Sequence, residues 1–261
     1  MKTSSALCSL IAGLLLATAS YAYAGWYSPS WSYRKTITID HTKIPNTDQS
    51  SFPVLVSLTS DANLSSHALS TGYDILFTAS DGTTKIPYER ESYSTGTLVA
   101  WVNVTTLSHT TDTVIYMYYG NASATDQQAA TSVWDSNYKG VWHLKENPRG
   151  TAPQMGDSTA GANSGTTASG FAAGDSQAAK IGLGLHFAGA VNYDVSMANQ
   201  TPFNFQYSNP FTIEYWSKPL TSSTGKQTPL SKLQNSGVFP GFEIGHNVNG
   251  TGASTPQACF A

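Results

Sequence analysis

Val99-Ala-Trp-Val102 and Val114-Ile-Tyr-Met117 decide the fold, because each is apolar at successive positions rather than at alternate ones. A strand that is apolar on both faces is covered from both sides, so these two runs read as the centres of sheets. Working outward, the neighbouring runs alternate. In residues 32–40, Tyr33, Ile37 and Ile39 share one face and Thr36 and Thr38 the other. Pro53 opens the run 54–58, and Tyr73, Ile75 and Phe77 alternate with Asp74 and Thr78. Asp81-Gly82 supplies the φ > 0 residue of a tight turn between strands. Residues 85–93, 98–104 and 113–119 complete a series of short strands at sandwich spacing. Residues 25–135 therefore read as an all-β sandwich.

Beyond it, residues 122–133 are rich in Ala and Gln and read as a short, weakly amphipathic connecting helix. Residues 140–144 read as a strand. Residues 148–179, rich in Gly, Ala, Ser and Thr, have the composition of a flexible loop or linker. Strands resume at 182–188, 211–216, 230–233 and 242–244. In 211–216, Phe211, Ile213 and Tyr215 lie on one face and Thr212, Glu214 and Trp216 on the other.

The first residues set the compartment. Met1-Lys2, the apolar run 7–16 and Ala22-Tyr23-Ala24 form a signal peptide, residues 1–24, with cleavage before Gly25. Cys8 precedes most of the apolar run and makes a poor lipoprotein site. No later segment is continuously apolar enough for a membrane span, so the expected product is secreted, extracellular or periplasmic, with no membrane insertion. Cys259 is the only cysteine after the signal, which leaves no internal disulfide. Charged residues are 11% of the chain and the net charge is −3, with Lys and Arg scattered. That balance argues against nucleic acid as a partner. Asn63, Asn103, Asn121, Asn199 and Asn249 lie in Asn-x-Ser/Thr sequons, a consequence of the Ser/Thr/Asn-rich composition.

Two groups of stretches carry a family resemblance. Trp31 to Asp40, Tyr88-Glu-Arg-Glu91, Leu98-Val-Ala-Trp-Val102 and Ile115-Tyr-Met-Tyr-Tyr-Gly-Asn121 resemble an uncharacterised bacterial secreted domain family without assigned activity. That family commonly sits just before a concanavalin A-like, laminin G-type jelly roll. Val141-Trp-His-Leu144, Asp157-Ser-Thr, Lys180 to Phe187 and Pro210-Phe-Thr-Ile-Glu-Tyr-Trp216 resemble the opening strands of such a jelly roll. The resemblance implies two consecutive β-sandwiches, 25–135 and 136–261. It places 148–179 inside the second, as a loop after its first strand. Only about five strands follow residue 136, so the jelly roll reads as incomplete.

Catalytic patterns are missing from the sequence. Jelly-roll glycosidases usually present Glu-x-Asp-x-x-Glu on one strand, aiming two carboxylates at one bond; no such pattern occurs, and Glu214 stands alone. Glu89 and Glu91 share a strand face but read as a charged sheet edge. There is no Gly-x-Ser-x-Gly elbow, and His143 and His186 lie in apolar strands as core or edge histidines. The loop 157–163 offers Asp157 and Asn163 as oxygen donors of the kind calcium prefers, set against an ordinary Asx-turn. No other cofactor is implied. Trp26 and Trp31 are the candidate faces for ligand stacking, set against core packing. The expected function is a secreted, non-catalytic recognition or structural module, binding a carbohydrate or an extracellular protein. The alternative is an accessory N-terminal region of a larger secreted carbohydrate-active or transport-associated protein.

Overall fold

The computed structural model describes residues 25–198, 201–205, 208–219, 224–233, 241–249 and 254–260. The signal peptide expected over residues 1–24 lies outside them. No helix among the described residues is long and apolar enough to cross a membrane.

The architecture is all-β and every strand pairing is antiparallel. The first part comprises β1 (Tyr33–Ile39), β2 (Gln49–Leu58), a short helix α1 (Ala62–His67), β3 (Leu76–Thr78), β4 (Lys85–Ile86), β5 (Tyr88–Ser94), β6 (Thr97–Leu107) and β7 (Thr113–Tyr119). One sheet has the order β1-β7-β3-β4 and the other β2-β6-β5. The two runs that are apolar on both faces thus sit in β6 and β7, each flanked on both sides.

The sheets face each other across one core. Val56 of β2, Tyr88 of β5, and Leu98, Ala100, Val102 and Val104 of β6 meet Phe77, Ile86, Ile115, Met117 and Tyr119 of the other sheet. Leu64 of α1 plugs one end, and Asp61 caps that helix by accepting from the Leu64 amide at 2.9 Å. Tyr88 is wholly buried and satisfies its hydroxyl by donating to the Ile75 carbonyl at 2.6 Å.

Both outer faces are covered as well. On the β1-β7-β3-β4 sheet, Trp31, Leu76 and Tyr118 form a second cluster with Tyr27 and Tyr116 packed on it. The N-terminal segment closes it: the Gly25 amide donates to the Asp81 carbonyl at 2.7 Å, and Arg34 donates to the Gly25 carbonyl at 2.8 Å. Gly82 lies at φ +75°, where a Cβ would overlap the Gly25 carbonyl, so glycine is required twice over.

Four expectations are corrected here. Residues 122–133 hold no α-helix, only a 3-10 turn at Ala130–Ser132. The Ala129 amide donates to the Tyr88 carbonyl at 2.8 Å, so this segment lies along β5 and caps its backbone. Sheet-edge pairing outweighs the modest helix propensity of such a short run. Residues 211–216 and 140–144 form no strand; in the latter only Trp142 bridges to Asp157. Residues 148–179 are no loose linker: Met155, Phe171, Thr159, Asn163 and Thr167 are buried.

This second part carries β8 (Thr166–Thr167), β9 (Ser176–Ala178), β10 (Leu183–Leu185), β11 (Val195–Ser196), β12 (Thr224–Leu233), β13 (Gly241–Asn249) and β14 (Ser254–Phe260). They pair as β8 with β11, β9 with β10, and β12-β13-β14.

Candidate functional site

The most concentrated chemistry in the described residues lies on the outer face of the β2-β6-β5 sheet. Between Arg90 and Ser92 the register of β5 against β6 shifts, leaving Glu91 without a partner residue. Glu89 pairs opposite Trp101. Glu89 and Glu91, two residues apart, share the face turned away from the core.

The chain after β7 is steered over this face. Arg90 holds Asp126 in a two-pronged ion pair at 3.1 and 3.0 Å, and the Asn103 amide group donates to the Val133 carbonyl at 2.9 Å. Trp134 is thereby buried against Trp101, with ring centroids 5.5 Å apart, and its indole N–H donates to Glu89 Oε2 at 2.9 Å. Farther on, the Val141 amide donates to Asp157 Oδ1 at 3.0 Å and the Ser158 amide to the Val141 carbonyl at 2.9 Å. This pairing delivers His143, Lys145 and Ser158 to the acidic pair.

His143 lies between the two carboxylates. Its Nε2 is 3.2 Å from Glu89 Oε2 and its Nδ1 is 3.2 Å from Glu91 Oε2. Lys145 Nζ is 3.3 Å from Glu91 Oε2 and donates to the Glu91 carbonyl at the same distance. Ser158 donates to Glu89 Oε1 at 2.6 Å. Gly182, beside the β9–β10 hairpin, packs against Glu91, where a Cβ would come within 3.1 Å of Glu91 Cγ. The Glu91 side chain is 1% exposed and that of His143 11%.

Burial pushes both carboxyl groups up, but their surroundings differ. At Glu89 the hydrogen bond and charge of His143, with the bonds from Ser158 and Trp134, outweigh burial and hold the group down at about 2. At Glu91 burial prevails over the attraction of His143 and Lys145, and the group is raised.

Glu89, Glu91 and His143 bring their ligand atoms within 4.8 Å of one another, which raises the question of a metal. Any ion there would compete with donors already in place. An imidazole ligates through one nitrogen while the other donates to a second partner, yet here each nitrogen faces a carboxylate that a shared ion would need. Lys145 already neutralises Glu91, and Glu89 already accepts from Trp134 and Ser158. Glu89, Glu91, Lys145 and His143 form a buried cluster with the ring between the two carboxylates.

A second group, Asp40, His41 and Asp112, is at the surface. His41 Nδ1 is 2.6 Å from Asp112 Oδ1, and His109 Nδ1 is 2.6 Å from Asp48 Oδ1. Each histidine amide also donates to the same oxygen, at 3.1 and 2.9 Å. These reciprocal pairs tie the β1–β2 loop to the β6–β7 loop.

The residues singled out from sequence fall elsewhere. Trp31 is buried and donates its indole N–H to the Asp74 carbonyl at 2.6 Å, so it is core and not a stacking face. Trp26 is 44% exposed but is engaged with Tyr118 edge-on and with the Arg34 guanidinium 5.0 Å from its ring. Asp157 and Asn163 do meet, as an Asx-turn. Asp157 Oδ1 accepts from the Val141 and Thr159 amides, and Oδ2 from the Thr159 hydroxyl and the Asn163 amide, at 2.8–3.0 Å. Glu214 is exposed. His186 is 3.2 Å from Asp175. Glu89 and Glu91 are buried rather than a charged edge, because the chain after β7 covers them. The missed partners, Trp134, Lys145 and Ser158, left no signal in the sequence, because a left-handed residue, Leu144 at φ +58°, separates His143 from Lys145 and strand alternation does not apply there.

Fold and cluster together define an all-β protein in which a sandwich is sealed by the chain that follows it. A family model described as a domain of unknown function, DUF2341, matches residues 71–141. That stretch contains β3 to β7, the acidic pair and Trp134, and stops just short of His143. No curated protein and no solved structure matches the chain.

Proposed function

We propose that this protein is a secreted, non-catalytic recognition or structural module that binds a carbohydrate or an extracellular surface protein. The observation that carries the reading is the engagement of Glu89 and Glu91. Glu89 and Glu91 are covered and faced by His143 and Lys145, and Glu89 accepts from Trp134 and Ser158. A general acid and base must reach substrate; this pair is turned to joining two parts of the chain. A carbohydrate ligand draws support from Trp216, whose side chain is 73% exposed and whose ring faces the Lys180 ammonium at 5.5 Å. An indole face beside a hydrogen-bond donor suits the apolar face and hydroxyl rim of a sugar ring.

The test is a glycan array with the processed chain, alongside hydrolysis assays on common polysaccharides. Binding that Trp216→Ala weakens at least about tenfold, without product release, is expected, since truncating an aromatic anchor of a binding surface costs roughly 2 kcal/mol or more. Polysaccharide turnover abolished by Glu89→Gln would overturn the non-catalytic reading.

A further inference from the structure

Two independent observations meet at Gly25. The sequence places a signal-peptidase bond just before it, after Ala22-Tyr23-Ala24. The sandwich has a seat for this same residue on the turn between β3 and β4. The Gly25 nitrogen donates to the Asp81 carbonyl at 2.7 Å, and the Gly25 carbonyl accepts from Arg34 Nη1 at 2.8 Å. The seat is cut to glycine on both sides. A Cβ on Gly25 would lie 2.6 Å from Thr83 Cγ2, and one on Gly82 would lie 2.0 Å from the Gly25 carbonyl oxygen. The turn itself is fixed, because Asp81 Oδ1 accepts from the Thr83 and Thr84 amides at 2.9 Å.

We propose that this seat receives the chain's own processed N terminus, so that removal of the signal peptide completes the cover of the β1-β7-β3-β4 sheet. The inference rests on the secreted reading above. Hydrolysis of the Ala24–Gly25 bond adds one water across it, leaving a carboxylate on Ala24 and an α-ammonium on Gly25. A neutral donor with one N–H thereby becomes a charged donor with three. A charge-assisted bond to the Asp81 carbonyl is roughly twice as strong as the neutral one.

The seated end holds the aromatic cover in place. Trp26 packs edge-on to Tyr118 with ring centroids 5.3 Å apart, and its indole N–H donates to the Trp31 carbonyl at 2.7 Å. The Tyr27 amide donates to the Tyr118 hydroxyl at 3.3 Å, and that hydroxyl donates to the Gly82 carbonyl at 2.8 Å. Arg34 Nη1 reaches the same hydroxyl at 3.2 Å, so Gly25, Gly82 and Tyr118 are joined around one guanidinium. A chain beginning at Trp26 would lack the bonds to both Asp81 and Arg34. The cut that releases the chain is therefore the cut that finishes its fold, and the seat guards the new end against trimming.

The test uses the full chain exported from a secreting bacterial host, its N terminus read by intact mass. The α-amine is then labelled with an amine-reactive ester at neutral pH, and the rate is compared with that of a free peptide of residues 25–31. A terminus at Gly25 is expected, labelled at least about tenfold more slowly than the peptide, as two hydrogen bonds to the seat require. Gly82→Ala keeps the same terminus but displaces the Gly25 carbonyl, and should label close to the peptide rate. Equal rates for the parent chain and the peptide, or full protection in a folded Gly82→Ala chain, would overturn the proposal. Should the variant not fold, the comparison of parent chain with peptide decides alone. A leader retained on the exported chain would end this inference and the secreted reading together, whereas a Gly25 terminus that labels freely ends this inference only.

Discussion

Replacing Glu89 by Gln should cost far more stability than replacing Glu91 by Gln, although the two carboxylates share a face and a bridging histidine. Glu89 is held at about 2 against an unperturbed value of 4.5. A shift of this size corresponds to about 3 kcal/mol in favour of the ionised form. An independent comparison agrees: removing one member of a buried ion pair costs about 3–5 kcal/mol, and Gln keeps an acceptor for Trp134 or Ser158, so the low end applies. We expect Glu89→Gln to lose about 2–3 kcal/mol at pH 7. Glu91 runs the other way. Its folded form is raised by burial, so ionising it opposes folding, and Glu91→Gln should lose less than half as much.

The sign fixes the pH window. A group whose folded value is depressed contributes fully above its unfolded value and loses that contribution as pH falls through the folded one. The gap between the parent chain and Glu89→Gln should therefore close between pH 4.5 and about 2, narrowing to about half a kcal/mol at pH 2. Urea unfolding followed by tryptophan fluorescence measures this. With a slope of roughly 2 kcal/mol per molar, the midpoint at pH 7 drops by about 1–1.5 M. Equal losses for the two variants, or a gap that persists undiminished at pH 2, would refute the reasoning.

Tyr88→Phe should cost about 1–2 kcal/mol in a urea melt, because the buried Ile75 carbonyl loses its donor while packing is kept. Gly82→Ala should cost about 1–3 kcal/mol through its φ of +75°. It should also expose residues 25–31 to protease, since a Cβ there displaces the Gly25 carbonyl. Asp157→Ala should destabilise by roughly 2 kcal/mol by orphaning the amides of Val141, Thr159 and Asn163. Because those donors already fill the carboxylate, neither calcium nor a chelator should move the melting temperature of the parent chain.

The architecture was legible wherever pattern and burial have a one-to-one relation. Val99 to Val102 and Val114 to Met117 announced β6 and β7 as central strands because both faces of each are covered. Asp81-Gly82 announced its turn because the position needs φ > 0. Legibility failed where a segment's structure is set by what it lies against. Residues 122–133 have helix-forming composition, yet β5 offers an unpaired backbone edge, and Arg90 and Asn103 offer side chains to hold them there. Residues 148–179 have linker composition, yet Asp157 and Thr167 spend small polar groups on backbone partners, and Met155 and Phe171 supply apolar anchors. Composition reports how freely a chain could move, not what it is bonded to.

The cluster at Glu89 was hidden for a related reason. Exposed and buried glutamates look alike in one dimension; only the cover distinguishes them, and here the cover is supplied some fifty residues later by Trp134, His143 and Lys145. Burying two carboxylates without partners would cost several kcal/mol each, so a chain that covers them must carry the compensating charges. Glu89 and Glu91 meet His143 and Lys145, although Leu144 between those two lies at φ +58° rather than in an extended conformation. Trp31 makes the converse point. An indole near a chain terminus looks available, but its N–H bond to the Asp74 carbonyl makes it part of the sheet's own cover.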